Sequence, residues 1–241
     1  METIQKQLRQ WAKEYNTPAF IGNDPVQFPR KYKDSQVDAE ISGLLTALIS
    51  FGNRKQIIKK AQELDDMFSG SPSKWILDCR FISSIPFDDN SFYRTISNKQ
   101  MRSYCNKLYD ILTLYSSIYE YVRYIKDIDG YFKDRSYLDI LKNSFGFNEN
   151  SSAKRLAMFM RWMVRNDGIV DLGLWHGISS KDLIIPLDTH VHKMALELGI
   201  TKRKTTDIKT AQEITDYFKT IWPNDPCLGD FALFGYGINN K

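Results

Sequence analysis

The stretch Ile184-Ile185-Pro186-Leu187-Asp188-Thr189-His190-Val191 joins an apolar approach to the first turn of a helix. This pattern predicts that Asp188 is the N-cap of the helix, with its carboxylate accepting hydrogen bonds from the first free backbone amides. A carboxylate at a partly dry helix start can also stabilise a cationic intermediate in a reaction. The stretch alone leaves both roles open for Asp188.

Two histidines follow Asp188, but their spacing does not suit a metal. His190 and His192 lie two positions apart, on different faces of the helix, and no third ligand stands at metal spacing. We therefore predict no zinc site. His190, in the first helical turn, is expected to contact a phosphate or to help cap the helix. A small-molecule enzyme that uses both histidines is a further interpretation.

Helical periodicity extends outward from this stretch over almost the whole chain. The predicted helices cover residues 40–50, 54–68, 100–125 (as one long helix or two abutting ones), 137–145, 153–164, 189–198, 210–221 and 230–238. We predict no alternating strand, and Pro186 confines the apolar segment 183–187 to a sheet edge or a loop. The predicted fold class is all-α.

Composition narrows the function classes. The chain has 241 residues, of which 42% are hydrophobic and 26% charged, so disorder and fibrous repeats are excluded. The formal net charge of +4 permits an anionic partner without requiring one. Cys79, Cys105 and Cys227 stand alone, which argues against a disulfide framework and against a four-cysteine zinc or iron–sulfur site. Without a signal peptide or a membrane-spanning run, we expect a cytoplasmic protein with no membrane partner.

A polar turn before an apolar helix marks a second candidate site. Residues 148–153 lead into the helix, so that Lys154 and Arg155 fall in its first turn. A cation there opposes the helix dipole, which favours the neutral, nucleophilic form of an amine. The backbone amides of the turn would also suit a DNA phosphate. The alternative is a solvated pair of cations at a helix end.

Two further groups carry recognition chemistry. Asn53 and Arg54 follow the break at Gly52 and have donors that suit bases and phosphates, although a capped helix start with a solvated face is the alternative. Asp230 and Phe234 are four residues apart and share one side of a helix. They could form a purine pocket in which Phe234 stacks and Asp230 accepts N–H donors from a guanine edge. A core aromatic beside a surface carboxylate is the alternative.

Taken together, these residues resemble the helix–hairpin–helix (HhH-GPD) DNA glycosylase superfamily, which includes endonuclease III and 8-oxoguanine DNA glycosylase. The segment 186–191, followed by Leu198-Gly199, resembles its catalytic aspartate segment, and Lys154 resembles its lysine nucleophile in position. Asn53 resembles the residue inserted toward the base opposite the lesion. Segments 24–30, 51–54, 154–165 and 184–191 are similar to a bacterial family described as 8-oxoguanine glycosylase-like, and this resemblance spans about 24–238.

The chain departs from the superfamily pattern in the hairpin and in spacing. The usual hairpin is L-P-G-V-G-x-K, whereas residues 148–153 supply no glycine at either hairpin position. Lys154 and Asp188 are 34 positions apart, a long spacing similar to that of the archaeal 8-oxoguanine glycosylases. The insert 166–180 could loop out without separating the two side chains. The four cysteines of an iron–sulfur loop are missing from this sequence.

The resemblance implies a single two-lobed HhH-GPD-like unit over residues 1–241, with lobe A at about 1–33 plus 148–241 and lobe B at about 34–147. It implies a bifunctional glycosylase and lyase that removes an oxidised purine, 8-oxoguanine first among them, from duplex DNA through a lysine Schiff base. Lys154 and Asp188 would be catalytic, and Asp230 and Phe234 would form the base pocket. The residues expected to contact DNA are Asn53, Arg54, Arg155, His190 and Lys193.

The same resemblance implies a monomer that needs no cofactor and binds double-stranded DNA containing a damaged base. An alternative of a different class is a DNA- or RNA-binding protein that keeps the fold without its chemistry. That alternative predicts salt-dependent binding with no preference for a lesion.

Overall fold

A computed structural model describes residues 2–239, and the chain is predominantly helical, as predicted. The elements of the first part of the chain are α1 (Glu2–Tyr15), α2 (Pro18–Ile21), α3 (Gln27–Arg30), α4 (Gln36–Leu48), α5 (Arg54–Phe68), α6 (Pro72–Leu77), α7 (Phe81–Ser84), β1 (Ser91–Tyr93) and β2 (Ile96–Ser97). They are followed by α8 (Asn98–Tyr115), α9 (Ile118–Ile128), α10 (Tyr137–Ser144), α11 (Lys154–Val164), α12 (Thr189–Glu197), α13 (Ile208–Lys219) and α14 (Leu228–Asn239). Within residues 2–239, no helix is both long enough and apolar enough to cross a membrane.

The structure contains several elements that were not predicted. Helices α1, α2, α3, α6 and α7 were not among the predicted helices. The prediction of no strand is wrong, because β1 and β2 pair antiparallel around a turn at Arg94, whose φ is 51°. Strands of three and two residues are too short to show an alternating pattern in the sequence. The long helical segment after residue 100 divides at Ser116, which has a φ of 68°.

Contacts divide the chain into two compact units. The first unit comprises Met1–Gly22 with Phe147–Lys241, and the second comprises Asn23–Gly146. The first boundary therefore lies at Gly22. The resemblance implied a boundary at about residue 33, which is later in the chain. As a result, the segment from Asp24 to Arg30 belongs to the second unit.

The first unit is organised around its terminal helices. Helix α14 packs on α1, α12 and α13. The core of this unit is formed by apolar side chains, among them Leu8, Ile185, Leu187, Ala195, Ile214, Phe218, Ala232 and Leu233. Because Ile185 and Leu187 are anchored in this core, the segment that leads into α12 has a fixed position.

The second unit surrounds α4, of which nearly every residue after Asp38 is buried. Helix α4 contacts α3, α5 and α6, and α8 contacts α6 and α9. Glu40 is fully buried, and its Oε2 accepts a hydrogen bond of 2.7 Å from the backbone amide of Ile118, the first residue of α9. A buried carboxylate in α4 thus satisfies a backbone donor that the start of another helix leaves open.

Candidate functional site

Lys154 is the first residue of α11, and it follows a turn that ends in a left-handed backbone. Ala153 has φ 45° and ψ 45° and precedes the helix without a side-chain cap. Ser151 Oγ accepts a hydrogen bond of 3.0 Å from the Ala153 amide, and Ser152 Oγ donates one of 3.2 Å to the Leu187 carbonyl. Ala153 thus adopts a left-handed conformation that glycine would adopt more easily. The hydrogen bonds of Ser151 and Ser152 hold the turn in this conformation.

Asp188 is the N-cap of α12, so the capping prediction is confirmed. Its Oδ1 accepts hydrogen bonds from the backbone amides of His190 at 3.0 Å and Val191 at 2.8 Å. The residues before it run through the core of the first unit, since Ile185 and Leu187 are buried. The carboxylate therefore has a fixed place at the point where the buried segment reaches the surface.

The structure brings Lys154 and Asp188 together. Lys154 Nζ lies 3.8 Å from Asp188 Oδ2, so one carboxylate oxygen caps α12 while the other faces the amine. The side chains are 27% and 41% exposed, which leaves both accessible to a substrate. A partly exposed pair at the surface contributes about 1 kcal/mol or less to stability. The pair can therefore be altered with little effect on folding.

An accessible amine beside a carboxylate can perform two kinds of chemistry. The amine can attack an electrophilic carbon and form a covalent intermediate. The carboxylate can take the proton of the amine or stabilise positive charge that develops on the substrate. The two groups also stand at the starts of α11 and α12, where the positive end of each helix dipole favours anionic substrate groups.

Three of the residues predicted to contact DNA lie in the same unit as this pair. The Arg155 guanidinium lies 4.9 Å from the ring centre of Phe147, and the residue is half-buried. The exposed His190 packs its ring against α14, since a Cβ added to Gly237 would lie 2.4 Å from His190 Nε2. Lys193 is 70% exposed on α12. Arg155 follows Lys154 in the first turn of α11, and His190 lies in the first turn of α12, which Asp188 caps.

His192 has a structural role. It is buried, with Nδ1 3.0 Å from Thr206 Oγ1 and Nε2 2.8 Å from the Arg203 carbonyl oxygen. Both ring nitrogens thus fix the loop that follows α12. Within the described part of the chain, no cluster of three or more His, Cys, Asp or Glu residues could hold a metal ion.

Asp230 and Phe234 lie on α14, where each has partners in the first unit. Asp230 Oδ2 accepts a short hydrogen bond from the Arg161 guanidinium, and the Asp230 side chain is 19% exposed. The half-buried Phe234 makes edge contacts with Tyr15 and Phe20, at ring-centre distances of 5.4 and 5.2 Å. The predicted reader of a base is therefore an ion-paired carboxylate, and the predicted stacking ring belongs to an aromatic cluster.

A buried network of ion pairs around Arg161 was missed by the sequence analysis. Arg161, Arg165 and Asp171 are 3%, 1% and 1% exposed. Asp171 contacts both guanidinium groups, and Arg165 also binds Asp225 and Asp167. Burial alone would lower the pKa of Arg165, but the charges of its three carboxylate partners raise it above its usual value. Two arginines four positions apart within an apolar helix were the signal in the sequence.

In the second unit, Asn53 is the N-cap of α5. Its side chain accepts hydrogen bonds from the backbone amides of Lys55 at 3.0 Å and Gln56 at 3.4 Å. Arg54 is the exposed first residue of the helix. The capped helix start considered for this motif is therefore present, and both residues remain at the surface.

A further cation beside this motif was also missed. The Arg94 side chain lies over Gly52, where an added Cβ would be 2.8 Å from its Nη1, and its guanidinium is 5.8 Å from the Phe51 ring centre. Tyr93 donates a hydrogen bond of 2.9 Å to the Phe51 carbonyl. The β1–β2 turn thus adds an exposed arginine to the surface that carries Asn53. In the sequence, Gly52 was the only indication that another group could lie against the backbone here.

Replacing Gly52 by alanine is expected to lower the free energy of unfolding by about 1–2 kcal/mol, because φ at this position is +93°. The added Cβ would also displace the Arg94 guanidinium, a flexible group whose movement costs little. Urea unfolding of Gly52→Ala, with Arg94→Ala and the double variant as controls, measures both effects. A loss that vanishes in the Arg94→Ala background would show that the contact, and not the backbone, is responsible.

At Ala153, we expect the order of stability Gly, then Ala, then Val. Glycine relieves the left-handed strain but loses backbone entropy, so Ala153→Gly should gain about 0.5 kcal/mol. Valine is β-branched and should lose about 2 kcal/mol. Urea unfolding tests the order, and a valine variant as stable as the wild type would contradict the left-handed assignment.

Comparison with known proteins identifies the family. No curated protein and no solved structure matches the chain. One family model matches residues 24–239, and its description is "Protein of unknown function (DUF2400)". The matched range contains both partners of the Lys154–Asp188 pair as well as Asn53, Asp230 and Phe234. The chain therefore belongs to the DUF2400 family.

Proposed function

We propose that this protein is a bifunctional DNA glycosylase of the HhH-GPD type, which removes an oxidised purine from duplex DNA and then cleaves the strand. The observation that carries the proposal is the Lys154–Asp188 pair, in which Nζ lies 3.8 Å from Oδ2. Both side chains are accessible and stand at the starts of α11 and α12. A glycosylase that is also a lyase needs an amine nucleophile and a carboxylate within one substrate's width. The resemblance of both residues to the catalytic positions of that superfamily supports the same reading.

The reaction begins with the damaged nucleotide flipped out of the duplex. Lys154 Nζ forms a bond to C1′, and the bond between C1′ and the base nitrogen breaks with its electron pair leaving on the base. Asp188 Oδ2 takes the proton of the lysine ammonium or stabilises the positive charge that develops on the sugar. Transfer of one proton from the attached nitrogen to O4′ breaks the C1′–O4′ bond and gives a protonated Schiff base. Loss of a C2′ proton to water then forms the C2′–C3′ double bond and expels the 3′ phosphate.

Asp230 and Phe234 are the proposed base pocket. Asp230 forms an ion pair with Arg161, and a carboxylate accepts hydrogen bonds, which suits the N–H donors of a guanine edge. Phe234 is half-buried and offers part of its ring for stacking. 8-Oxoguanine carries this guanine edge, and it is the proposed substrate.

DNA contacts are proposed for both units. In the first unit, the proposed contacts at the starts of α11 and α12 are Arg155 and His190. Lys193 is exposed further along α12. In the second, Asn53 and Arg54 stand at the exposed start of α5. Binding through these groups is expected to weaken as salt rises, because phosphate contacts release counterions.

The proposal is tested with a panel of duplexes that carry 8-oxoguanine opposite each of the four bases, other oxidised bases, or no lesion. We expect strand cleavage of the 8-oxoguanine duplexes and a borohydride-trapped protein–DNA adduct, with neither on undamaged DNA. The steps above use no cofactor, so EDTA should leave cleavage unchanged. Absence of cleavage and adduct on every lesion duplex, together with equal affinity for damaged and undamaged DNA, would favour the non-catalytic alternative.

A further inference from the structure

The first unit holds a cavity of about 460 Å³ that none of the proposed catalytic or base-pocket residues lines. One face of the cavity is formed by Arg9 and Lys13 of α1 and by Asn16 directly after that helix, and Trp222 contributes an aromatic wall. The remaining lining is mainly apolar, with Ala12, Pro18, Ile169 and Leu228 among its members. A concave site of this size, with an apolar lining and a few polar groups, is typical of a small-molecule pocket.

The mouth of the cavity is cationic. Arg9 and Lys13 are one helical turn apart and both exposed. The Arg9 guanidinium lies 5.8 Å from the ring centre of Trp222, which holds it near the cavity. Among the described residues that line this cavity, none carries a carboxylate. Two adjacent exposed cations at the mouth of the cavity suit a phosphate, which carries nearly two negative charges at neutral pH.

Asn16 supplies a buried acceptor at the other end of the same face. The residue is 8% exposed, and its Nδ2 donates a hydrogen bond of 2.6 Å to Asp167 Oδ2. Because the carboxylate can only accept, this contact fixes which end of the amide is nitrogen. Asn16 Oδ1 has no hydrogen-bond partner within the described part of the chain. A buried acceptor that receives no hydrogen bond indicates that a bound molecule supplies the donor.

The environment of Asp167 favours its carboxylate form. Burial alone would raise the pKa of Asp167, but the charge of Arg165 and the hydrogen bond from Asn16 lower it below its usual value. The amide orientation therefore holds at neutral pH.

Spacing along α1 sets the length of the ligand. Arg9 and Lys13 are one turn apart in α1, and Asn16 follows the helix with its backbone amide still donating to the Ala12 carbonyl at 2.9 Å, so about 10 Å separates Arg9 from Asn16 along the axis. We propose that the cavity binds a nucleoside monophosphate, with its phosphate at Arg9 and Lys13, its base along the apolar wall, and a base N–H donating to Asn16 Oδ1. This chemistry is supplied by a free mononucleotide or by the 5′-phosphorylated end of a strand.

The test is isothermal titration calorimetry on the full chain. AMP, GMP, CMP and TMP are compared with their nucleosides, with inorganic phosphate, and with a short oligonucleotide with and without a 5′ phosphate. We expect at least one nucleotide to bind tenfold or more tightly than its nucleoside and than phosphate. Binding of the phosphorylated oligonucleotide but of no free nucleotide would assign the same site to strand ends. Failure of all phosphorylated ligands to bind would overturn the proposal.

Variants then locate the binding. The double variant Arg9→Ala/Lys13→Ala removes two exposed cations and should weaken nucleotide binding tenfold or more. The matched control Lys202→Ala/Lys209→Ala removes two exposed cations outside the cavity and should bind like the wild type. Equal affinity of the first variant and the wild type would overturn the proposal. So would equal affinity for an analogue whose base N–H donors are methylated, which tests the contact to Asn16 without altering the protein.

This site is independent of the proposed glycosylase activity. Arg9 and Lys13 are not part of the Lys154–Asp188 pair, so lesion cleavage can fail while nucleotide binding succeeds, and the reverse. The two outcomes are measured by different assays and remain distinguishable.

Discussion

Replacing Lys154 by glutamine is expected to abolish the borohydride-trapped adduct on an 8-oxoguanine duplex and to lower strand cleavage by a factor on the order of 10³ or more. Glutamine is close in length and polarity but has no amine, so it cannot form the bond to C1′. Lys154 Nζ lies 3.8 Å from Asp188 Oδ2, and no step of the proposed reaction proceeds without that amine. Denaturing gels of trapped product, with single-turnover cleavage rates, measure both effects.

Stability separates this effect from misfolding. The ion pair is partly exposed at the surface, so its loss should change the free energy of unfolding by about 1 kcal/mol or less. Arg155→Gln is the matched control, because it removes the neighbouring cation from the same helical turn. That control should keep the adduct, bind DNA more weakly than the wild type, and lose part of the salt dependence of binding. If Lys154→Gln gave the wild-type amount of adduct, another amine would be the nucleophile and the proposed role of Lys154 would be wrong.

Local rules account for what could be predicted from the sequence. Asp188 and Asn53 cap helices because a short polar side chain before a helical run satisfies its first amides, a contact that spans only two or three residues. The bounds of α5 also agree with its apolar stripe, from Arg54 to Phe68. These features depend on neighbours along the chain, and the sequence displays those neighbours directly.

What could not be predicted depends on partners that are distant in sequence. Asp230 is 69 positions from Arg161, and nothing around either residue specifies the other. The same holds for Arg94, which lies over Gly52 through a turn that two very short strands create. Periodicity indicates which face of α11 is apolar, but it cannot show that two arginines enter the core with a carboxylate between them.

The left-handed Ala153 is an intermediate case. The sequence shows that the turn before Lys154 lacks glycine, and the structure shows that an alanine nevertheless takes a conformation that glycine favours. The adjacent serine contacts hold that conformation, and one of them reaches the Leu187 carbonyl, 35 positions away. The same contact links the turn before Lys154 to the segment before Asp188, which helps to explain how residues so far apart in sequence come together.

Replacing Asp188 by asparagine is expected to leave lesion binding intact while slowing turnover by roughly 10²–10⁴-fold. Asparagine is as good an N-cap as aspartate, so α12 should keep its start and the protein its stability. The variant removes only the negative charge that faces Lys154. Single-turnover cleavage, compared with the affinity for an uncleavable lesion duplex, separates the two effects.

Asp188→Ala completes the argument, because it removes the charge and the cap together. It should lose as much activity as Asp188→Asn and, in addition, about 1 kcal/mol of stability, since the amides of His190 and Val191 lose their acceptor. If activity instead followed stability, with Asp188→Asn fully active and Asp188→Ala impaired, Asp188 would be a cap and nothing more. A protein with that behaviour, and with no preference for damaged DNA, would be the binding protein that keeps the fold without the chemistry.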